Sequence, residues 1–533
     1  MVFYVSDALL AELNSLAPSA LRERLPDLFA AIEAADDATR PVVAAVAERA
    51  FEGADGLAAL LANTPLVTRG LAHTDAGVRT LTLSQLVRLA STAAHIKVLL
   101  EHKIPKLIAA AVADADLSVA QRASSFFTAC AGGGREPLAL ILADASTLDA
   151  LRALTADTTS RSGSVLALRA LALFAEMAAS GDAQFEAAIV DCGLLRPGLA
   201  LWRGDDPLVR LNVVELFGTL GRVSSGLRWL AETTGVVDEL RETLDAPVGE
   251  DMLVDLLRPA VLTCLGTLLD EGGAYASELL LGGPRDLVSQ LWPLLSAREA
   301  EQHCAALAAL RAAAAVPAGY RAILGLHGGA KGESKLSMLQ RAADERARVG
   351  ALLVTAQLVA THAELATAAA AAAAAATASG APPPPPPPGI EEDATAATGT
   401  LEVSLRALVG ACSPSPSTSA ADALAALAKS LSDAVRLVAL RLLGALAGTE
   451  WGALELAVSE GTLEVLMTSA DVHALSPEEL REKHGIAVAL MRWPQAPAFL
   501  GATAAATIRA YAAAGPFAPQ RPRAAVLAAP LTL

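Results

Sequence analysis

One segment of the chain resembles a phosphate-binding loop but lacks two residues that such a loop needs. The stretch from Gly325 to Ser334 is rich in glycine and contains Lys331. A phosphate-binding loop has Gly directly before its Lys and Ser or Thr directly after it, so that backbone N–H groups cradle the phosphate and the hydroxyl meets magnesium. Here Ala330 and Gly332 hold those places. We therefore interpret the segment as a flexible loop between helices.

The candidate metal ligands and nucleophiles are also incomplete. His95 and His102 lie seven residues apart, two turns along a helix, and no Cys or carboxylate completes a zinc-ligand spacing. Cys130 precedes three glycines, a setting that fits a small buried residue at a helix end better than a nucleophile. No Ser, His and Asp set sits on a strand–turn–helix elbow. The sequence predicts a protein that is not an enzyme and has no catalytic residue, cofactor or metal.

The composition favours helices and argues against a nucleic-acid partner. The 533 residues include 53% apolar but only 4% aromatic residues, so the core must be built from Ala, Leu and Val. Because Ala and Leu are strong helix formers, an all-α fold is expected. The 41 Lys+Arg and 57 Asp+Glu leave a net charge of −16, and the seven lysines form no cluster. A basic footprint for DNA or RNA is therefore missing.

The cysteines and the apolar segments indicate a soluble protein. Five cysteines lie far apart with no CxxC pair, which is typical of reduced thiols in the cytoplasm, with the nucleus as a second compartment. The first residues show no cationic stretch ahead of a long apolar run, which argues against a signal peptide. The only membrane-length apolar stretch is expected around Ala368 to Ala376, and alanine alone is too weakly apolar to insert. We expect no membrane partner.

A repeated valine gives the chain its organisation. It opens a helix-like apolar run after a short polar turn, and its successive steps of 41, 46, 44 and 45 residues match armadillo or HEAT repeats. An Asp ahead of several of these valines is well placed to cap the helix. A degenerate member is expected near Cys304, and two further valines 86 residues apart extend the series by about two repeats. The valines are Val78, Val119, Val165, Val209, Val254, Val349 and Val435.

The repeats predict an α-solenoid with one insertion. Each unit should contain two or three helices, and stacked units should form a superhelix whose groove binds extended protein surfaces. We expect armadillo/HEAT-like repeats over 1–365, a largely disordered insert over 366–420, and C-terminal repeats and a tail over 421–533. The insert holds nine alanines, which should extend the preceding helix, and the seven prolines Pro382 to Pro388. Polyproline can dock on aromatic grooves, but an acidic flank follows it, so a spacer is the favoured interpretation.

Charged residues recur beside the valines. An Asp and an Arg flank the repeat valine in three repeats. We interpret these residues as forming ion pairs between neighbouring repeats that hold the stacking. Their mutation should therefore lower stability rather than affinity alone. The sets are Asp75 with Arg79, Asp206 with Arg210, and Asp433 with Arg436.

Four segments carry a resemblance to a known family. In register across most of the chain, they resemble the N-terminal, central, last and C-terminal parts of the 26S proteasome non-ATPase regulatory subunit 5 family. The segments run from Arg69 to Leu86, from Asp206 to Asp238, from Glu450 to Gly461 and from Arg509 to Phe517. The poly-Ala and poly-Pro insert and the low aromatic content depart from the family pattern.

The resemblance implies a non-enzymatic assembly chaperone. Members of that family bind the C-terminal domain of one AAA ATPase of the proteasome regulatory particle base, within an assembly intermediate with other base subunits, and leave before the proteasome is mature. A rigid solenoid could cover an ATPase surface that is needed later. The alternative from the repeats alone is a generic armadillo scaffold or transport adaptor that binds peptide segments, although the regular Trp and Asn columns of import-type grooves are missing. An enzyme with a hidden site is a third reading that no motif supports.

The partner-binding residues are predicted from the repeat phase. In armadillo-like repeats the helix opened by this valine usually lines the groove, with the sixth and tenth residues after it facing inward. An ordinary solvated helix position is the competing interpretation for each of them. These columns give Ser84, Arg88, Ser125, Glu215, Thr219, Thr355 and Arg441.

Overall fold

The computed structural model of the chain divides into two compact units, Met1–Leu240 and Arg241–Leu533. The structure describes residues 7–36, 38–180, 191–283, 285–296, 299–329, 334–379, 396–413, 415, 417–467 and 475–517. Every regular element in these ranges is a helix, and no strand occurs in them. The predicted all-α class is therefore confirmed.

The first unit contains short helices joined by tight turns, and the last of them runs through the division between the units. They are α1 (Asp7–Ser15), α2 (Pro18–Glu23), α3 (Leu25–Ala34), α4 (Arg40–Ala50), α5 (Gly53–Ala62), α6 (Thr64–Leu71), α7 (Ala76–Val87), α8 (Ala93–Glu101), α9 (Ile104–Ala111), α10 (Leu117–Gly132), α11 (Arg135–Ala143), α12 (Ala145–Ala153), α13 (Arg161–Ser180), α14 (Arg196–Trp202), α15 (Pro207–Leu220), α16 (Ser224–Arg228), which continues as a π-helical turn (Trp229–Thr233), and α17 (Val236–Asp245).

The second unit also consists of successive helices, which range from 5 to 35 residues in length. They are α18 (Met252–Glu271), α19 (Gly273–Leu281), α20 (Leu287–Leu294), α21 (Ala300–Ala314), α22 (Pro317–Gly329), α23 (Lys335–Gln340), α24 (Glu345–Ser379), α25 (Ala396–Gly410), α26 (Ala420–Leu427), α27 (Asp433–Ala447), α28 (Glu450–Val458), α29 (Glu460–Met467), α30 (Pro477–Arg492), α31 (Ala496–Leu500) and α32 (Ala502–Ala514).

Each unit is a stack of helices in which one helix of every repeat packs side by side with its counterpart in the next. We call these the first-row helices. In the first unit they are α4, α7, α10, α13 and α15, and in the second they are α18, α21, α24, α27 and α30, each packed on the next within its unit. In several repeats the two remaining helices also pack on their own counterparts, as α5 does on α8 and α6 on α9. The chain is thus an armadillo/HEAT-like α-solenoid, and a full repeat has three helices rather than two.

The valine phase read from the sequence places most of the first-row helices correctly, but Val165 on α13 and Val349 on α24 are each the fifth residue of their helix and lie two residues out of register. Val78, Val119, Val209 and Val254 are each the third residue of one of them, and an Asp caps each of these helices. The Asp75 carboxylate, for example, accepts a hydrogen bond from the Val78 N–H at 3.0 Å. Such a cap satisfies a backbone donor that has no partner inside the helix.

The predicted cap differs at one repeat. The residue that caps α27 is Ser432, whose hydroxyl accepts from the Val435 N–H, and Asp433 is the first residue of the helix. A carboxylate in the first turn still faces the positive end of the helix dipole. The predicted degenerate repeat near Cys304 is α21, which begins at Ala300 after Glu299.

The compact units of the structure differ from the predicted domain division. The alanine run does extend a helix, because α24 continues to Ser379, and the proline run lies outside the described residues. The insert expected over 366–420 nevertheless contains α25, which packs on α22 and α24 and buries Leu405, Leu408 and Val409. Because α24 packs on α21 before it and α27 after it, the chain on both sides of the insert belongs to one unit. The compact units divide after Leu240, and the predicted domain bounds at 365 and 420 stay a prediction.

The expectation of a single membrane-length segment is wrong. Among the described residues, three helices are long and apolar enough to cross a membrane by length and composition alone, and a bent pair of helices would make a fourth. About half of each of the three apolar windows is buried inside the structure. A helix that is stacked between two neighbouring helices needs apolar residues on both sides, so the stacking alone accounts for this high hydropathy. The three are Arg161–Ala179, Met252–Glu271 and Glu345–Ala372, and the bent pair is Asp433–Ala447 with Glu450–Val458.

Ion pairs join successive repeats, as the charged residues beside the valines predicted. Arg79 on α7 donates from Nε and Nη2 to the Asp114 carboxylate, both at 2.9 Å, in the turn ahead of α10. The Arg40 guanidinium reaches Asp75 of the next repeat at 2.9 Å. In the second unit Arg436 pairs with the buried Glu479 of α30 at 2.8 Å. These pairs hold first-row helices to the turns and helices of the next repeat.

One of the three predicted sets works differently. Arg210 lies over the Trp202 ring, with 4.6 Å from its guanidinium carbon to the ring centroid, instead of forming an ion pair. This cation–π contact is made to the helix just before α15 in the same unit, so it also ties neighbouring helices together.

We expect that replacing Arg79 by Met lowers the free energy of unfolding by about 2 kcal/mol, because Asp114 would lose a bidentate partner in a site where both side chains are mostly covered. Urea unfolding followed by circular dichroism measures this. The matched control is Lys97→Met, which breaks an exposed pair with Glu136 and should cost less than about 1 kcal/mol. Equal losses in the two variants would contradict a structural role for the Arg79 pair.

Candidate protein-interaction surface

In the first unit, the predicted residue Ser84 lies in an open depression between first-row helices. It is half-buried on α7, and its hydroxyl donates to the Thr80 carbonyl oxygen at 2.8 Å. The depression runs across α4, α7 and α10 and is lined by both apolar and polar side chains. Its lining includes Pro41, Ala44, Val78, Leu81, Ser118 and Arg122.

Arg88 and Ser125 lie on the same row. Arg88 is exposed, and its Nη1 donates to the Phe51 carbonyl oxygen at 2.7 Å and to Gln85 Oε1 at 2.8 Å. This side chain thus bridges to the preceding repeat while keeping part of its surface in solvent. Ser125 is half-buried, and its hydroxyl donates to the Gln121 carbonyl oxygen at 2.9 Å.

Glu215 and Thr219 lie one turn apart on α15. The Thr219 hydroxyl donates to the Glu215 backbone carbonyl at 3.3 Å, so the hydroxyl is satisfied within the helix. The Glu215 side chain is exposed, and no partner for its carboxylate is found among the described residues. Its charge is free to meet a partner.

The structure places Thr355 in the interior rather than in a groove. It is completely buried on α24, where its hydroxyl donates to the Ala351 carbonyl oxygen at 2.9 Å and accepts from Gln340 Nε2 at 2.6 Å. The reason is that α24 is covered by α21 and α27 on its flanks and by α23 as well. Thr355 is also the eleventh residue of α24, whereas Ser84, Ser125, Glu215 and Arg441 are each the ninth residue of their helices, so it lies two residues out of register with them.

Arg441 reaches the surface but already has partners. Its Nη2 donates to Glu478 at 2.5 Å and its Nε to Glu482 at 3.3 Å, both on α30. Its side chain is about two-fifths exposed. The pairs make Arg441 one more inter-repeat contact, and any partner would meet the whole cluster of one cation and two carboxylates.

The residue columns predicted from the repeat phase can be compared with the burial of their members. They located Ser84, Ser125, Glu215 and Thr219 on the solvent side of first-row helices. They missed Ser118 and Arg122, which share the depression with Ser84. A depression between two helices is lined by a second column on each helix, three residues from the first, and a search that includes this spacing would have found Arg122. Whether any of these residues contacts a partner stays a prediction.

The residues that first suggested chemistry are part of the helical scaffold. Burial raises the pKa of the Cys130 thiol and raises the pKa of Cys412 to about 12, which keeps both thiols protonated. The start of the glycine-rich segment, expected to be a loop, is helical as far as Gly329, and Lys331 lies outside the described residues. No group of three His, Cys, Asp or Glu side chains is placed to hold a metal in the part of the chain that the structure describes.

The fold and this surface define the chain as an armadillo-like α-solenoid. The profile of a family described as proteasome non-ATPase 26S subunit matches residues 5–341, which is more than half of the chain. The chain therefore belongs to the proteasome non-ATPase 26S subunit family. No curated protein matches it significantly.

The similar solved structures include engineered and designed proteins. An engineered protein from the Northeast Structural Genomics Consortium is 19% identical, covers 90% of this chain and 98% of its own, and gives a TM-score of 0.40. A designed armadillo repeat protein is 20% identical over 46% of this chain and 98% of its own, with a TM-score of 0.29. Another designed armadillo repeat protein, in complex with the peptide (KR)4, is 20% identical, covers 47% of this chain and 99% of its own, and gives a TM-score of 0.31. Superposition is too loose for any functional argument.

Reversing the charge at the two ionic positions should have different effects on stability. Glu215→Lys should leave the melting temperature nearly unchanged, because the carboxylate has no partner among the described residues. Arg441→Glu should lower the free energy of unfolding by about 1 kcal/mol, because it places a third carboxylate beside Glu478 and Glu482. Thermal unfolding by circular dichroism compares the two. A larger loss at Glu215 than at Arg441 would contradict these contacts.

Proposed function

We propose that the chain is a non-enzymatic chaperone for assembly of the 26S proteasome regulatory particle base. It binds the C-terminal domain of one AAA ATPase subunit, within an intermediate that contains other base subunits, and it is absent from the mature proteasome. The observation that carries the proposal is the family match over residues 5–341. The finer role comes from the resemblance to the non-ATPase regulatory subunit 5 family.

The solenoid supports this role physically. First-row helices pack side by side in each unit, and the depression across α4, α7 and α10 is open, which suits the face of a folded domain better than a small substrate. Inter-repeat ion pairs such as Arg79 with Asp114 stiffen the stack, and a stiff surface loses little conformational entropy when it binds. Binding to an ATPase domain would cover the surface that later docks on the proteolytic core.

The net charge of −16 supports a basic partner surface. We place the protein in the cytoplasm, with the nucleus as a second compartment, because the five cysteines are free thiols. In the proposed role the chain has no enzymatic activity and binds neither a membrane nor a nucleic acid. In this role the chain needs no cofactor.

The fold alone is also compatible with a second function. A generic armadillo scaffold or transport adaptor would bind an extended peptide along the first-row helices. The depression beside Ser84 is the feature of the first unit that favours it. The Ser and Glu side chains on this row differ from the Asn and Trp columns that hold an extended backbone in import-type grooves.

The proposal is tested by incubating the purified chain with the separately expressed C-terminal domains of all proteasomal ATPases, at about 50 and 300 mM salt. We expect selective capture of one domain, weakened at the higher salt because an acidic chain meets a basic surface. Glu215→Lys should reduce this capture, with Glu101→Lys, the same charge reversal at an exposed residue of α8, as its control.

Capture of none of the domains by a chain that circular dichroism shows to be folded would contradict the proposal. The chain would then remain a repeat protein of the family with a different client. Capture of an unstructured peptide in preference to any folded domain would favour the adaptor function.

A further inference from the structure

The first helix that lies wholly in the second unit carries an exposed apolar ridge. Met252 and Leu256 lie one turn apart on α18, with 89% and 49% of their surface exposed, and Pro259 follows one turn later as a half-buried residue. Single exposed apolar residues are common, whereas apolar residues on successive turns of one face form a continuous patch. The ridge ends at Thr263, which is exposed and polar.

Leu256 is the fifth residue of α18, and the same position holds Thr80 on α7 and Gln121 on α10 but Leu211 on α15 and Leu437 on α27. An apolar residue at this position is therefore common on first-row helices. What sets α18 apart is that the highly exposed Met252 lies one turn before Leu256 on the same face. Since Leu256 is half exposed, its apolar surface is available for a contact outside the unit.

The helix beneath the ridge is held from inside the unit. Pro259 has no N–H to donate to the Asp255 carbonyl oxygen, and Gln302 Nε2 of α21 donates to that oxygen instead, at 3.3 Å. Arg258, which is completely buried, donates from Nη2 to the Ala246 carbonyl oxygen at 2.8 Å. These contacts fix the backbone under the ridge, so the exposed side chains stand on a preorganised support.

The turn ahead of α18 adds residues beside the ridge. The Gly249 N–H donates to the Asp255 carboxylate at 2.8 Å, which ties the turn to the start of the helix. Val248 in this turn is 49% exposed and adds to the apolar surface. Glu250 and Asp251 are exposed beside it, so the ridge has an acidic flank at its N-terminal end.

The geometry points to a definite kind of occupant. Side chains spaced three and four residues apart form a ridge that packs into the groove between two rows of side chains on another helix. The rise from Met252 to Pro259 is about 10 Å, which matches two turns of a facing helix. Methionine adapts its shape to different partners, which suits the most exposed position. The acidic flank selects lysine or arginine beside the apolar face.

We propose that the Met252–Leu256–Pro259 ridge is a docking site for an amphipathic helix of the client, with large aliphatic side chains on one face and basic residues at its border. The inference rests on the proposed function for the identity of the client, but not for the chemistry of the contact.

The test compares two double variants of the full chain that carry the same change of charge. Met252→Glu with Leu256→Glu disrupts the ridge. Leu431→Glu with Val458→Glu is the matched control, because both residues are exposed and lie in the same unit on other elements. Circular dichroism and thermal unfolding check that both variants fold.

Two probes are used with these variants. The first is a fluorescent model helix of leucine on one face and lysine at the border, read by anisotropy against a peptide of equal charge with glutamine in place of leucine. The second is the set of ATPase C-terminal domains. We expect the ridge variant to bind the leucine helix at least about tenfold more weakly than the wild type, with the control unchanged. The same loss should appear with the captured ATPase domain.

The outcomes separate the two proposals. Equal binding of the leucine helix by the ridge variant and the control, or equal binding of the leucine and glutamine peptides by the wild type, overturns the ridge. Unchanged capture of an ATPase domain by the ridge variant overturns it as a client site. If the ridge variant binds the leucine helix more weakly but the wild type captures no ATPase domain, the result supports the ridge and contradicts the proposed function. If the ridge variant is weakened both in binding the leucine helix and in capturing the ATPase domain, the result supports the ridge and the proposed function.

Discussion

The structure depends on one constraint: a three-helix repeat of about 45 residues cannot bury its own apolar face. Each first-row helix gains its core only by packing between two counterparts, as α10 does between α7 and α13. Full burial of a residue such as Phe126 or Leu83 contributes about 1.5–3 kcal/mol, and these side chains are buried only because neighbours exist. With few aromatic residues, the chain meets this demand with alanine and leucine, which also explains why some of its helices reach membrane-like hydropathy.

The same constraint decides which polar residues are structural and which are available. Arg79, Arg436 and Arg441 are placed at repeat junctions and pair there with carboxylates of the next repeat. Polar residues away from the junctions, such as Glu215, keep their charge in solvent. The Met252–Leu256–Pro259 ridge is the opposite case, because it exposes apolar side chains to solvent instead of burying them in the stack. Function in a solenoid of this kind is therefore expected where a side chain does not serve the stacking.

Sequence reasoning predicted the parts that repeat. The valine phase located the first-row helices because every repeat faces the same packing problem, and the caps at Asp75 and Asp206 followed from the same phase. It failed where the chosen valine stands out of register. Val349 is the fifth residue of α24 instead of the third, so Thr355, which was counted from it, is buried instead of lying on the row of Ser84. The low-complexity run hid α25, although the spacing of Leu405, Leu408 and Val409 already marks a helical face. No local pattern indicated the division after Leu240, which depends on long-range packing.

The measurement that tests the central claim most directly is purification of the tagged chain from its own cells at low salt, with the associated proteins identified by mass spectrometry. An assembly chaperone should bring down ATPases and other subunits of the base, and it should lack the subunits of the proteolytic core and the lid. Recovery of complete 26S proteasomes, or of no proteasome subunit at all, would contradict the account.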